Sequence, residues 1–328
     1  MINMDSNIYD KASTEKIPYR KFILSLTKYY PIWLQENRVE RLKNIIEDTF
    51  QNEVKILGIT DCLILRLVVV TGDFQNEVSE WSKQLGEEWR VSSTGAIGQS
   101  LTWGDGQPET TYSIIILSQD VALGLLEENP EVHNLSFGTL IHELAHIHDE
   151  MRYLCNIDPD PILKPQDWSS IRLFFAKSTW GEFFAEATAF PYLKNIDSNN
   201  YIGLCIDSLK DAIQTIFEET NAYKTHKIAG KVWKVASNKL SSVFNHLGRC
   251  LGYLHIAQQD AGNNNQIEQF LQEIYNLSPV WKNTTNCLYK ELLNVNDRFN
   301  CDSFSHLSDV IDQSFRCVGL EPYKDPTN

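Results

Sequence analysis

Residues 140–150 read LIHELAHIHDE, and their spacing decides how the rest of the chain is organised. His142 and His146 stand four apart, so on a helix both imidazoles leave from one face. Ile141, Leu144, Ala145 and Ile147 are uncharged, as a helix packed into a core requires. Asn134 or Ser136 can cap the start of this helix, which is expected to run past Glu150. A buried helix with two aligned imidazoles is a place where a divalent ion can be held.

Upstream of the helix the first 120 residues mix strand and helix patterns. Residues 1–18 are polar and expected to be flexible. From 20 to 50 the pattern reads as helical, on Phe22, Ile23, Leu26 and Tyr29 and then on Val39, Leu42, Ile45 and Ile46. Residues 62–70 (CLILRLVVV) read as a buried strand, 74–89 as an amphipathic helix, and 90–110 as a Gly, Ser and Thr-rich loop with room for a short strand. Residues 112–118 (YSIIILS) are a second strand, followed by a short helix to about 128. Downstream, DPDPILKP at 158–165 carries three prolines and breaks the helix. Helical patterns follow at 168–194, 203–221, 230–259, 264–277, 282–295 and 304–316. The expected fold is therefore α+β. A small mixed sheet with helices occupies an N-terminal lobe over 19–152, which ends in the HExxH helix. A mainly helical lobe follows over 153–328 and carries the third metal ligand, with the active-site cleft between the two.

The chemistry follows from residue types. Glu143 lies one position beyond the first histidine, where its carboxylate can reach a metal-bound water without binding the metal. This is the H-E-x-x-H arrangement of zinc hydrolases. A catalytic zinc needs a third protein ligand and an open position for water. The metzincin continuation fails, because its glycine position is Asp149 and its last ligand position is Arg152. A later stretch, STWGEFFAEATAF, offers Glu182 and Glu186, four apart on one face of a largely apolar helix. Carboxylates there are costly unless paired or metal-bound. Asp149, three residues after His146, can accept from a ligand imidazole. In 243–257 (VFNHLGRCLGYLHIA), His246, Arg249 and Tyr253 share a face, and Gly248 and Gly252 allow close approach of another helix.

On these residues the chain resembles the gluzincins, zinc metallopeptidases of zincin fold with H-E-x-x-H and a downstream glutamate ligand. The E-x-x-A form at Glu182–Ala185 also looks like the shorter bacterial relatives of the ImmA/IrrE type. The resemblance covers 134–194. It implies one Zn²⁺ per chain on His142, His146 and Glu182, with Glu143 as general base. Glu186 becomes the acid that orients a ligand histidine, and Glu186 as the ligand is the alternative. Tyr253 and His246 are the implied oxyanion donors. Strand 112–118 is the implied edge strand that pairs with an extended peptide. His148 stands where these motifs commonly carry a hydrophobic residue and is expected to point off the metal face. The implied activity is hydrolysis of a protein or peptide substrate. The other reading is a zinc-binding sensor or regulatory protein of the same fold without turnover.

Composition narrows the partners. The net charge is −14, which argues against nucleic acid or an anionic membrane as partner. The seven cysteines are odd in number and scattered, with no CxxC pair, so a reduced, cytoplasmic setting is expected. No apolar run approaches the length of a membrane span. No G-x-S-x-G elbow, P-loop or deaminase P-C-x-x-C is present.

Overall fold

The computed structural model describes residues 22–34, 37–50, 65–84, 97–103, 110–156, 167–261 and 265–320. The flexible start expected over 1–18, the proline loop at 158–165 and most of the loop at 90–110 lie outside the described residues. The protein is mixed α and β, mostly helical, with one four-stranded sheet among the described residues. No helix among them is long and apolar enough to cross a membrane. Two compact units divide between Ser136 and Phe137. The HExxH segment lies in the second unit.

The first unit holds β1 (Ile23–Thr27), α1 (Arg38–Asp48), β2 (Leu65–Thr71), α2 (Phe74–Gln84), β3 (Gly98–Trp103), β4 (Tyr112–Ser118) and α3 (Gln119–Gly124). The strand order is β1-β2-β4-β3. β1, β2 and β4 run parallel, and β3 returns antiparallel to β4. Val69, Leu101, Ile114 and Ile116 form its core with Phe74 and Val78 of α2. Glu77 of α2 is buried but satisfied, accepting from Thr27 Oγ1 at 2.9 Å and Trp81 Nε1 at 3.1 Å.

Two expectations are corrected here. Residues 23–27 form a strand and not a helix, in register from Ile23 opposite Leu67 to Thr27 opposite Thr71. The apolar spacing over 22–29 spans barely two turns, too few to outweigh pairing with β2. β4 is central and not an edge strand, so both of its sides are already paired and it has no free edge for a peptide. Its buried run Ile114–Leu117 is the continuous apolar pattern of a strand covered on both faces.

The second unit is built on long helices. α4 (Pro130–Asn156) starts earlier than Asn134 or Ser136. Pro130 sits in the first turn, where its missing N–H costs nothing, and Asn129 Oδ1 accepts from Glu131 N at 2.9 Å. Then come α5 (Trp168–Leu193), α6 (Ser198–His226), α7 (Ala229–Ala261), α8 (Gln266–Leu277), α9 (Pro279–Asp297) and α10 (Cys301–Cys317). Asp167 caps α5 through Ser170 N at 2.7 Å, and Asp197 caps α6 through Asn199 N at 3.0 Å. α5 is buried almost all round from Phe175 to Phe190, as its unbroken apolar composition demands. α7 packs against both α5 and α6. The described free thiols are Cys205, Cys250, Cys287, Cys301 and Cys317.

Gly248 and Gly252 set the α5–α7 contact as their spacing implied. A Cβ at Gly252 would stand 2.3 Å from Phe183 O, and one at Gly248 2.4 Å from Thr179 O. Backbone cannot yield as a flexible side chain would. Gly252→Ala is therefore expected to cost about 1–3 kcal/mol in a thermal melt, as overpacking does. Gly203→Ala on α6, where a Cβ meets nothing within 4 Å, serves as the matched control and should hold or raise the melting temperature by up to about 1 kcal/mol of helix propensity. Equal losses in the two variants would contradict this account of the helix contact.

Candidate metal centre

α4 presents His142 and His146 as their spacing requires, with Nε2 atoms 3.1 Å apart. α5 brings Glu182 to them, its Oε2 3.4 Å from His142 Nε2 and its Oε1 3.9 Å from His146 Nε2. The ligand atoms of these three residues all lie within 4.8 Å of one another, so the group could hold a metal ion. Two ligands on a tetrahedral zinc, with bonds of about 2.0–2.1 Å, stand about 3.3 Å apart. The His142 separations match that value and the His146–Glu182 separation is slightly wide. Glu182 Oε2 is buried and makes no well-formed hydrogen bond, although Arg249 Nε lies 3.0 Å away. A buried carboxylate oxygen left in this condition is suited to an ion.

The second glutamate approaches the same imidazole from its other nitrogen. Glu186 Oε2 is 3.0 Å from His142 Nδ1. Glu182 and Glu186 thus divide one ring between them, Glu182 on Nε2 and Glu186 on Nδ1. Glu182 is thus the acid within the candidate ligand group, and Glu186 stands on the opposite nitrogen of His142. Tyr201 of α6 donates its hydroxyl to Glu186 Oε1. Glu143 is buried between the two histidines in sequence and lies outside the three-residue ligand group, close enough for its charge to act on Arg249.

Two of these contributors carry no sequence motif. Tyr201 sits in a polar first turn, NNYIG, where nothing marks it. Arg249 shares its helix face with His246 and Tyr253, and Gly248 beside it draws that face onto α5. A cation in an otherwise apolar segment, facing two acids across a glycine contact, was the available signal for Arg249.

The expected oxyanion donors are placed differently from each other. Tyr253 donates its hydroxyl to Ile196 O at 2.7 Å, and its ring stacks on Tyr201 with centroids 4.4 Å apart. It braces the tyrosine that holds Glu186. His246 stays near the centre, where the charges of Arg249 and Glu182 act on it, and its buried Nδ1 makes no hydrogen bond. Asp149 is buried. It accepts from Trp180 Nε1 at 2.7 Å. A Cβ at Gly181 would lie 3.3 Å from His146 Nδ1 and 3.8 Å from Asp149 Oδ2, so both groups converge on the space this glycine leaves open.

Protonation follows from burial and these contacts. Burial and the Arg249 charge both push His142 down, but Glu182 and Glu186 outweigh them and lift it to about 9. Burial holds His146 down at about 4. Burial alone would raise Glu182, yet Arg249 and the two histidines hold it well below the usual carboxylate range. Glu186 is lowered in the same way, burial being outweighed by His142 and Arg249. Burial lifts Asp149 to about 6 despite Arg152 and Trp180.

No protein-family model, no curated protein and no solved structure matches the chain.

His148 yields a prediction about acid stability. It is buried and stacks on Phe184, so it fills an apolar place on the helix face away from the ligands. Burial, with Arg152 adding to it, lowers its pKa from 6.5 to about 4. Below pH 6.5 the unfolded chain takes a proton that the folded chain refuses, so stability falls from 6.5 towards 4. His148→Phe keeps the stack and removes the titration. Its melting temperature should decline less steeply than that of the wild type over this window. An unchanged slope would show that His148 does not contribute.

Proposed function

We propose that the chain is a zinc-dependent metallopeptidase of zincin type, acting on a protein or peptide in the cytoplasm. The observation that carries this reading is the convergence of His142, His146 and the buried Glu182 Oε2, with Glu143 one position from the first ligand. His142, His146 and Glu182 would hold the ion. A bound zinc supplies a water of near-neutral pKa and polarises the scissile carbonyl. Glu143 takes the proton of the attacking water and delivers it to the leaving amine. Glu186 orients His142 from Nδ1, and Tyr201 keeps Glu186 in place. The gluzincin-like reading of Glu182 as ligand and Glu186 as orienting acid belongs to this proposal.

Elemental analysis of the purified protein tests it first. About one zinc per chain is expected, lost in Glu182→Ala and kept, with affinity lowered about 10–100-fold, in Glu186→Ala. Wild-type protein that takes up no zinc on resupply would sink the reading. Glu143→Gln should keep its zinc and lose cleavage of an unfolded protein substrate by a factor of at least about 100. A zinc-loaded wild type as inactive as this variant would favour the sensor alternative.

Zinc affinity should also depend on pH. Below about 9, His142 carries a proton that a metal ligand must give up. Chelator competition should therefore show affinity rising with pH over the neutral range, by up to about tenfold per unit. A flat profile would mean that His142 is already neutral.

A further inference from the structure

We propose that Arg249 and the metal ion compete for Glu182 Oε2 and for the space beside His142 Nε2, so that Arg249 sets how readily the centre loads and shifts off Glu182 when it does. The inference rests on the metal-site reading above. Arg249 Nε lies 3.0 Å from Glu182 Oε2, and its Nη2 lies 3.2 Å from His142 Nε2. These are the two atoms that face each other across the ligand group, 3.4 Å apart. The guanidinium keeps its charge under all ordinary conditions and has no lone pair to offer a metal. A divalent ion on these atoms would stand against it within a few ångströms, in surroundings that screen poorly. One of the two cations must give way.

The surroundings show where Arg249 can go. Its Nε is already 3.7 Å from Glu186 Oε2, and the Glu143 charge acts on it too. Its side chain is 38% exposed, twice the 19% of Glu182, so it has an open side into which to turn. Gly248 and Gly252 hold the α7 backbone against α5, which leaves the adjustment to the side chain. The charges also balance. Glu143, Glu182 and Glu186 offer three negative charges when ionised, matched by one divalent ion and one guanidinium. Arg249 therefore remains at the loaded centre as a counter-charge, moved towards Glu186 and Glu143. Without the ion it stabilises the carboxylates in the ion's place.

Arg249→Gln tests the competition through binding rather than catalysis. In competition against a chromophoric zinc chelator, the variant should bind zinc on the order of tenfold more tightly than wild type. Its metal-free form should melt lower than metal-free wild type, and its melting temperature should rise more on zinc addition. Equal or weaker zinc binding than a wild type that loads one zinc overturns the proposal. Zinc binding by neither protein removes the metal-site reading itself, a separate result. Should Arg249→Gln fail to fold, wild-type protein gives the answer alone. The Arg249 Nε–H resonance, assigned in isotope-labelled wild-type protein through correlations to its own side chain and backbone, should shift on addition of one equivalent of zinc. An unmoved resonance in protein that has taken up the ion overturns the proposal equally.

Discussion

Two carboxylates one turn apart on an otherwise apolar helix are the constraint around which the helical unit is arranged. α5 is buried on nearly every side where it carries Glu182 and Glu186. An uncompensated buried charge costs several kcal/mol, far more than a marginally stable domain can lose repeatedly. Compensation comes from three other helices: His142 from α4, Tyr201 from α6 and Arg249 from α7. The same contacts that make burial tolerable also aim the polar atoms at one point. Stability and site geometry are thus two results of one arrangement, and neither can be changed without the other.

The reach of those contacts depends on small residues. Gly248 and Gly252 bring α7 onto the backbone of α5, close enough for the Arg249 guanidinium to reach both glutamates. Gly181 does the same beside His146 and Asp149. Behind this layer Tyr253 stacks on Tyr201, Trp180 donates to Asp149, and His148 lies on Phe184. Aromatic rings with one polar end suit such positions, because they fill volume while fixing a single acceptor.

What could be read from the chain beforehand was local and periodic. The i, i+4 histidines, the i, i+4 glutamates and the i, i+4 glycines each declare a helix face, and each pair lies where its spacing implies. The long helices of the second unit were legible for the same reason, apart from their ends. β1 was not, because five residues carry too little periodicity to distinguish strand from helix before β2 is placed beside them. The central position of β4 was written in its unbroken YSIIILS run, a pattern that suits a doubly covered strand better than an edge. Tyr201 was hidden, and Arg249 was placed on a helix face but given no role, for a deeper reason. Their roles exist only through contacts across 15 residues or more, and no spacing rule reaches that far.

The centre is also spread along the chain in a way that bears on biosynthesis. His142 and Arg249 are 107 residues apart, with both glutamates between them. At roughly 5–20 residues per second on the ribosome, the histidines precede the arginine by about 5–20 s. In the later part of that interval, once residues 182–186 have been made, the nascent α5 holds two acids whose guanidinium partner has not yet been made. The order of translation thus leaves α5 without its complete set of charge partners until α7 has emerged, so the two acids cannot be buried in their final surroundings before residue 249 has been made.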